Sequence, residues 1–329
     1  MAPFQIDKIL FYFTIITGIF IAISSPSWFV AWLGLELNLL SFVPLIFSEK
    51  NSYSSERALK YFLVQAIGSI AILIGRTILY LTRNPQIEKI IICALLFKIG
   101  AAPVHFWLPR VMQGLSWTNC ALLITAQKIT PIALLLNTDK LTRQELIFGA
   151  SILCGILGGI GGLNQTLLRK ILAYSSISHI GWLLAIVRHD RTRWAIYLIL
   201  YAYTVLSIVS VLDSSQIFHN YHFTTLVCGP IPALGIFLSL FSIGGLPPLL
   251  GFIAKIIVIN ELLTQRLFFW ILILIIRSLI TLYFYTRLFL RTISLNKPEL
   301  GSTLMKTNLT VGLLTLFTWS IFIAPFYLY

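Results

Sequence analysis

Three lysines stand deep inside apolar stretches of the chain: Lys98 in IIICALLFKIGAAPVHFW, Lys128 in NCALLITAQKITPIALLL and Lys255 in PPLLGFIAKIIVINELL. A lysine near the middle of a bilayer costs about 2.5–3.5 kcal/mol on insertion scales, and helix packing gains nothing from it. Ionisable groups at that depth mark ion or proton pathways by default. Glu36, in SWFVAWLGLELNLLSFVPL, is the only acid well inside an early apolar stretch. A buried carboxylate needs a cation or a proton, and Lys98 is its natural partner, mid-stretch two helices away. With the pair intact both charges are stabilised. With the pair separated, desolvation opposes each charge and Lys98 releases its proton. A static ion pair is the competing reading. Lys128 and Lys255 have no acid at the centre of their stretches; Glu261 lies about 1.5 turns beyond Lys255, toward a helix end. Both lysines stand too far from helix ends to snorkel easily, so they suit a proton relay.

The run Tyr174-Ser175-Ser176-Ile177-Ser178-His179 places hydroxyls and an imidazole within two turns. Ser175, Ser176 and His179 can hold a file of water and protons; helix–helix hydrogen bonding is the alternative. His105, in PVHFW, either joins that line or satisfies backbone freed by a nearby helix break. Arg277, mid-stretch in ILIIRSLITLYFY, receives no role. Gly155, Gly158, Gly159, Gly161 and Gly162 lie in an apolar helix with no strand before it, which reads as close helix packing and not as a phosphate loop. Cys93, Cys120, Cys154 and Cys228 show no CxxC spacing and read as small hydrophobes, with no disulfide framework or metal site. HExxH, GxSxG, Walker and dinucleotide motifs do not occur. The chemistry left to the chain is movement of protons or ions along side chains and water.

These residues need a scaffold, and the composition names its class. Of 329 residues 58% are hydrophobic and 11% charged, with a mean hydropathy of +0.90. A soluble surface needs charged residues at about a quarter of the total, so this is a polytopic membrane protein. Apolar runs of about 20 residues suit helices crossing a bilayer core, not the shorter alternating strands of a barrel. The formal net charge of +13 is carried singly in short loops and at helix ends, as at Arg188, Arg191 and Arg193, and reads as headgroup contact, not nucleic-acid binding. The start, MAPFQIDKILFYF, reads as a retained first helix.

Hydropathy predicts an all-α chain of about 11 transmembrane helices, near 4–24, 27–47, 57–80, 89–108, 115–137, 144–163, 169–187, 193–212, 230–259, 267–290 and 307–327. The fourth contains Gly100 and Pro103; the ninth contains Gly244, Gly245, Pro247 and Pro248. Freed backbone groups inside a membrane must face protein or a water-filled cavity. Both breaks read F-x-I-G-x-x-P, FKIGAAP from Phe97 and FSIGGLP from Phe241, and they stand five helices apart. An odd separation predicts two inverted five-helix repeats, about 4–137 and 144–290, followed by a terminal helix at about 307–327. Paired interrupted segments in inverted halves point to a transport pathway. A weak excess of basic loop residues on one side favours an N-terminus on the cytoplasm-like or matrix side.

Six stretches carry a resemblance: WLGLELNLLSFVPLI from Trp32, ALKYFLVQAIGSI from Ala58, FKIGAAPVHFWLP from Phe97, AQKITP from Ala126, GGLNQTLLRKILAYSSISHIGW from Gly161 and GGLPPLLGFIAK from Gly244. They resemble the antiporter-like membrane subunits of the mitochondrial NADH:ubiquinone oxidoreductase (respiratory complex I), in the animal subunit 2 branch, where a lysine follows the GGLPP break. The resemblance implies a proton-translocating subunit of the mitochondrial inner membrane, coupled to NADH oxidation and ubiquinone reduction in other subunits. It implies no cofactor on this chain, with flavin, iron–sulfur clusters and ubiquinone held elsewhere, and sister antiporter-like subunits and lipids as partners. The family's paired glutamate and lysine fall on Glu36 and Lys98, its central relay lysine on Lys128, and its lysine of the second broken helix on Lys255. Arg110, Ala254 and Ser178 depart from residues frequent in the family, an acid, a proline and an asparagine respectively. A stand-alone cation/proton antiporter and a non-pumping scaffold are the alternatives. The first lacks a tuned acidic cation site beyond Glu36, and the second gains nothing from buried lysines.

Overall fold

Glycine and proline punctuate long apolar runs in this sequence, and the computed structural model follows that punctuation. It describes residues 3–47, 52–138, 140–187, 192–215, 217–219, 230–247 and 249–295. The expected terminal helix at 307–327, Cys228 and Pro248 lie outside them. Among the described residues there are thirteen α-helices, one short 3-10 turn and one isolated bridge between Leu167 and His219. The helices are α1 (Pro3–Ser24), α2 (Trp28–Phe47), α3 (Ser52–Thr82), α4 (Glu88–Ile99), α5 (Trp107–Met112), α6 (Trp117–Ile124), α7 (Ala126–Leu136), α8 (Lys140–Leu163), α9 (Leu168–Val187), α10 (Arg193–Ser215), α11 (Pro230–Gly244), α12 (Leu250–Thr264) and α13 (Phe268–Leu295). Among the described residues eight stretches are long and apolar enough to cross a membrane, and α6 with α7 forms one of them. The predicted ninth span is divided between α11 and α12, and the predicted fourth span holds α4, a non-helical stretch over 100–106 and only the first residues of α5.

Both expected breaks have the same local cause. Gly100 (φ 78°) and Gly245 (φ 75°) adopt the left-handed conformation that glycine reaches without a Cβ clash. At the first, Ala101 N–H donates to the Leu96 carbonyl (2.9 Å) and Gly100 N–H to that of Phe97 (3.1 Å). At the second, Leu246 N–H donates to the Phe241 carbonyl (3.2 Å) and Gly245 N–H to that of Ser242 (3.0 Å). This is one helix-ending motif used twice. It corrects the register read from F-x-I-G-x-x-P: Gly100 corresponds to Gly245, not Gly244. Hydrogen bonding, which the letter match does not see, sets the equivalence.

A third break was not expected. The predicted span 115–137 is interrupted at Thr125 (φ −109°, ψ −75°), between α6 and α7. The Thr125 N–H and hydroxyl both donate to the Ala121 carbonyl, at 3.0 and 2.7 Å, closing α6. Pro131 within α7 lacks an N–H to continue the ladder.

The chain divides into two compact units, Met1–Cys154 and Gly155–Tyr329. In the first, α1 and α2 pack so closely that a Cβ on Gly34 would stand 2.7 Å from the Ala22 nitrogen. In the second, the glycine run of α8 packs as expected. A Cβ on Gly158 would stand 2.7 Å from the Ser178 nitrogen in α9, and one on Gly162 3.0 Å from the Phe284 ring in α13. Outward faces such as Ile9, Phe13, Ile16 and Phe20 of α1 are exposed and apolar, as lipid or protein contact requires.

Candidate functional site

All three lysines are buried; Lys98 and Lys128 stand at helix breaks, and Lys255 reaches one with its ammonium. Lys98 occupies the last turn of α4, before Gly100. Its stem lies across α3 at Gly68, where a Cβ would come within 2.7 Å of the Lys98 Cγ. The Gln65 amide, one turn earlier on α3, donates to the Lys98 carbonyl at 3.1 Å. Glu36 on α2 is half-buried and interacts electrostatically with Lys98. Among the described residues the two make no direct ion pair; the closed pairs of this unit are Lys60–Glu56, Arg76–Glu88 (3.9 Å) and Lys89–Glu145 (3.9 Å). Glu36 is therefore a longer-range counter-charge to Lys98, which suits a separable pair better than a static one.

Lys128 stands in the first turn of α7, its N–H donating to the Thr125 carbonyl at 3.2 Å. The adjacent Gln127 side chain accepts from the Tyr61 hydroxyl (3.2 Å) and donates to Asn38 (3.0 Å), tying the α6–α7 break to α2 and α3. Cys154 interacts electrostatically with Lys128 and accepts from the Ala102 N–H at 3.0 Å. The reading of Cys154 as a mere small hydrophobe is thus incomplete, since it takes up a backbone donor freed by the first break. His105 is buried, and its Nδ1 donates to the Pro103 carbonyl at 3.1 Å. That contact fits satisfaction of freed backbone, the more local of its two expected uses.

The second unit gathers more polar groups than the sequence suggests. Lys255 Nζ, on α12, reaches back across the break and donates to the Gly244 carbonyl. The preceding carbonyl, Ile243, accepts from His179 Nε2 at 3.1 Å. These are consecutive carbonyls at the C-terminal end of α11, where helix geometry leaves acceptors free and the macrodipole is negative. The break thus presents a two-acceptor shelf to the two titratable side chains. His179 Nδ1 meets the Tyr197 hydroxyl at 2.8 Å, and its ring lies on Tyr201 with centroids 4.6 Å apart. Tyr201 hydrogen-bonds Ser176, and the Tyr285 hydroxyl lies beside Ser175. Both serines also donate to carbonyls of their own helix, to Leu172 (2.9 Å) and Ala173 (2.7 Å).

Arg277, on α13, is buried in this same cluster. Its guanidinium carbon stands 5.2 Å from the Trp182 ring centroid, and Lys255 Nζ lies 5.8 Å from the same centroid. Gly155 leaves room for it, since a Cβ there would fall 2.2 Å from the arginine Cδ. Arg277 acts electrostatically on both Lys255 and Tyr197. Glu261 is engaged by Arg193, between α12 and α10, and does not partner Lys255. Sequence reading missed Tyr197 and Tyr201. Their signal is a spacing of four in α10, which puts two aromatic hydroxyls on one helix face.

The family model described as NADH:quinone oxidoreductase/Mrp antiporter, TM, matches residues 25–281. The chain is 41% identical over 313 residues to NADH-ubiquinone oxidoreductase chain 2 of Anopheles gambiae, covering 92% of this chain and 91% of that one. It is 38% identical over 341 residues to the protein of the same name from Elephas maximus, covering 99% and 97%. Its fold is similar to a chain of respiratory complex I from Thermus thermophilus with bound aureothin, with a TM-score of 0.84, 22% identity and coverage of 97% of this chain and 78% of that chain. It is also similar to a chain of the Mrp complex from Dietzia sp. DQ12-45-1b, with a TM-score of 0.80, 16% identity and coverage of 96% and 74%.

Proposed function

Because the chain belongs to the NADH:quinone oxidoreductase/Mrp antiporter membrane family, we propose that its buried lysines are the working stations of a proton-translocating subunit of NADH:ubiquinone oxidoreductase. The carrying observation is that Lys98, Lys128 and Lys255 are all buried and all stand at helix breaks or reach one with the ammonium, in a polytopic membrane protein. A break supplies what a buried ammonium needs when charged: carbonyls without helical partners and the negative end of a helix dipole. It also supplies irregular backbone, which a membrane tolerates only beside protein or water.

In this reading Glu36 is the movable counter-charge of Lys98. Its approach favours the ammonium, and its withdrawal releases the proton. Lys128 receives and passes the proton, and Lys255, with His179, forms the station at the second break. Ser175 and Ser176 offer hydroxyls to a water and proton path in the second unit. Redox groups reside in other subunits of the complex, and sister antiporter-like subunits and lipids flank this one in the mitochondrial inner membrane. The two inverted five-helix repeats supply the paired breaks.

The test is a native gel of detergent-solubilised membranes, stained for NADH oxidation, with this chain located by mass spectrometry. Co-migration with a very large NADH-oxidising band is the expected result. Migration alone or with one small partner would contradict it and turn attention to a stand-alone cation/proton antiporter.

A further inference from the structure

His179 is held at both ring nitrogens, and the two contacts are chemically unequal. The Ile243 carbonyl can only accept, so the Nε2 that faces it at 3.1 Å carries a hydrogen. That is an assignment from hydrogen-bond chemistry. In the neutral imidazole Nδ1 then bears the lone pair, and the Tyr197 hydroxyl, 2.8 Å away, donates to it. An incoming proton has one place to bind, Nδ1, and the Tyr197 oxygen stands in front of it. A 180° ring flip would put carbons in place of both nitrogens and so break the Tyr197 and Ile243 contacts together. The backbone that carries His179 is pinned as well, since Gly158 of α8 lies directly against the Ser178 nitrogen.

We propose that the hydroxyl of Tyr197 is the gate through which protons reach and leave His179. The inference rests on the relay reading above and deepens it. In the charging step the Tyr197 O–H bond breaks as the Nδ1–H bond forms, and the tyrosine oxygen takes its replacement from the excess proton of a hydronium arriving on the water path, which leaves as neutral water. Discharge is the reverse. The phenol is regenerated each time, and no electrons move. Among the described residues, Tyr197 and Tyr201 from α10, Lys255 from α12 and Arg277 from α13 face His179 or its gate. Arg277 is the permanent positive charge of the cluster and acts electrostatically on Tyr197. Lys255, bonded to the next carbonyl along, is the adjacent station.

The experiment measures protons translocated per electron by the assembled complex in sealed vesicles, for Tyr197→Phe, Tyr197→Gln, His179→Ala and the double variant Tyr197→Phe/His179→Ala. Tyr197→Phe removes one oxygen and keeps the ring. Tyr197→Gln supplies a polar amide that exchanges no proton near neutral pH. Phe and Gln should both lower the ratio to the value of His179→Ala, and the double variant should fall no further. Tyr203→Phe, on the same helix and outside the cluster, should leave the ratio unchanged. A normal ratio in Tyr197→Phe beside a lowered one in His179→Ala overturns the gate. So does rescue by Gln, which would make Tyr197 only a positioning residue. A normal ratio in His179→Ala also overturns the gate, while a ratio lowered by Lys255→Met in the same assay would leave the relay itself standing.

Discussion

Lys255 and His179 meet the protein through neighbouring carbonyls, and that arrangement depends on a residue with no side chain. Gly245 sits at φ 75° with the lysine laid against it: a Cβ there would stand 2.6 Å from Nζ and 2.7 Å from Cε. Gly245→Ala therefore carries two penalties, about 1–2 kcal/mol for the left-handed backbone and displacement of the ammonium from the Gly244 carbonyl. The expected outcome is a lower thermal midpoint of the assembled complex together with fewer protons translocated per electron. A variant that pumps at the normal ratio would show that the lysine does not work from this position. At this scale much of the site was legible. Lys98, Lys128, Lys255 and His179 announce themselves because charge in an apolar run is expensive. Tyr197 and Tyr201 did not, because a tyrosine in an apolar helix looks like any aromatic until its hydroxyl has a partner. Arg277 was visible, but its neighbours come from α8, α9, α10 and α12, and no spacing along one helix reveals them.

Among the elements, the breaks and the glycine faces decide the fold. Glycine and proline made the breaks at Gly100 and Gly245 readable, whereas the one at Thr125 has only a threonine to mark it. Pro131, six residues on, was the available hint. The register between the two glycine breaks was misread by one residue because a run of two glycines offers two candidates, and only the hydrogen bonds choose. The glycines of α8 separate cleanly into those that packing requires and those it does not. Gly158 faces the α9 backbone, which cannot move aside, while Gly149 has nothing within 4 Å of its missing Cβ. Gly158→Leu should abolish accumulation of assembled complex on a native gel. Gly149→Ala should accumulate normally, with a helix gain of about 0.5–1 kcal/mol. Equal accumulation of the two variants would contradict the close α8–α9 packing.

For the whole molecule, composition and span length settle the class before any motif is considered: a chain this apolar must live in a bilayer, as helices. The buried lysines then add an insertion cost of about 8–10 kcal/mol in total, which a scaffold has no reason to carry. What the sequence could not give is the drive. In the proposed relay, proton release from Lys98 follows movement of Glu36, and no residue of this chain supplies a redox group to drive it in that proposal. The most direct test of the account is the number of protons translocated per electron by fully assembled complex carrying Lys98→Met, with NADH as donor and a ubiquinone as acceptor. The account predicts normal assembly, retained electron transfer and a lowered ratio. An unchanged ratio in assembled complex would contradict it, and would leave Lys98 as a structural counter-charge to Glu36.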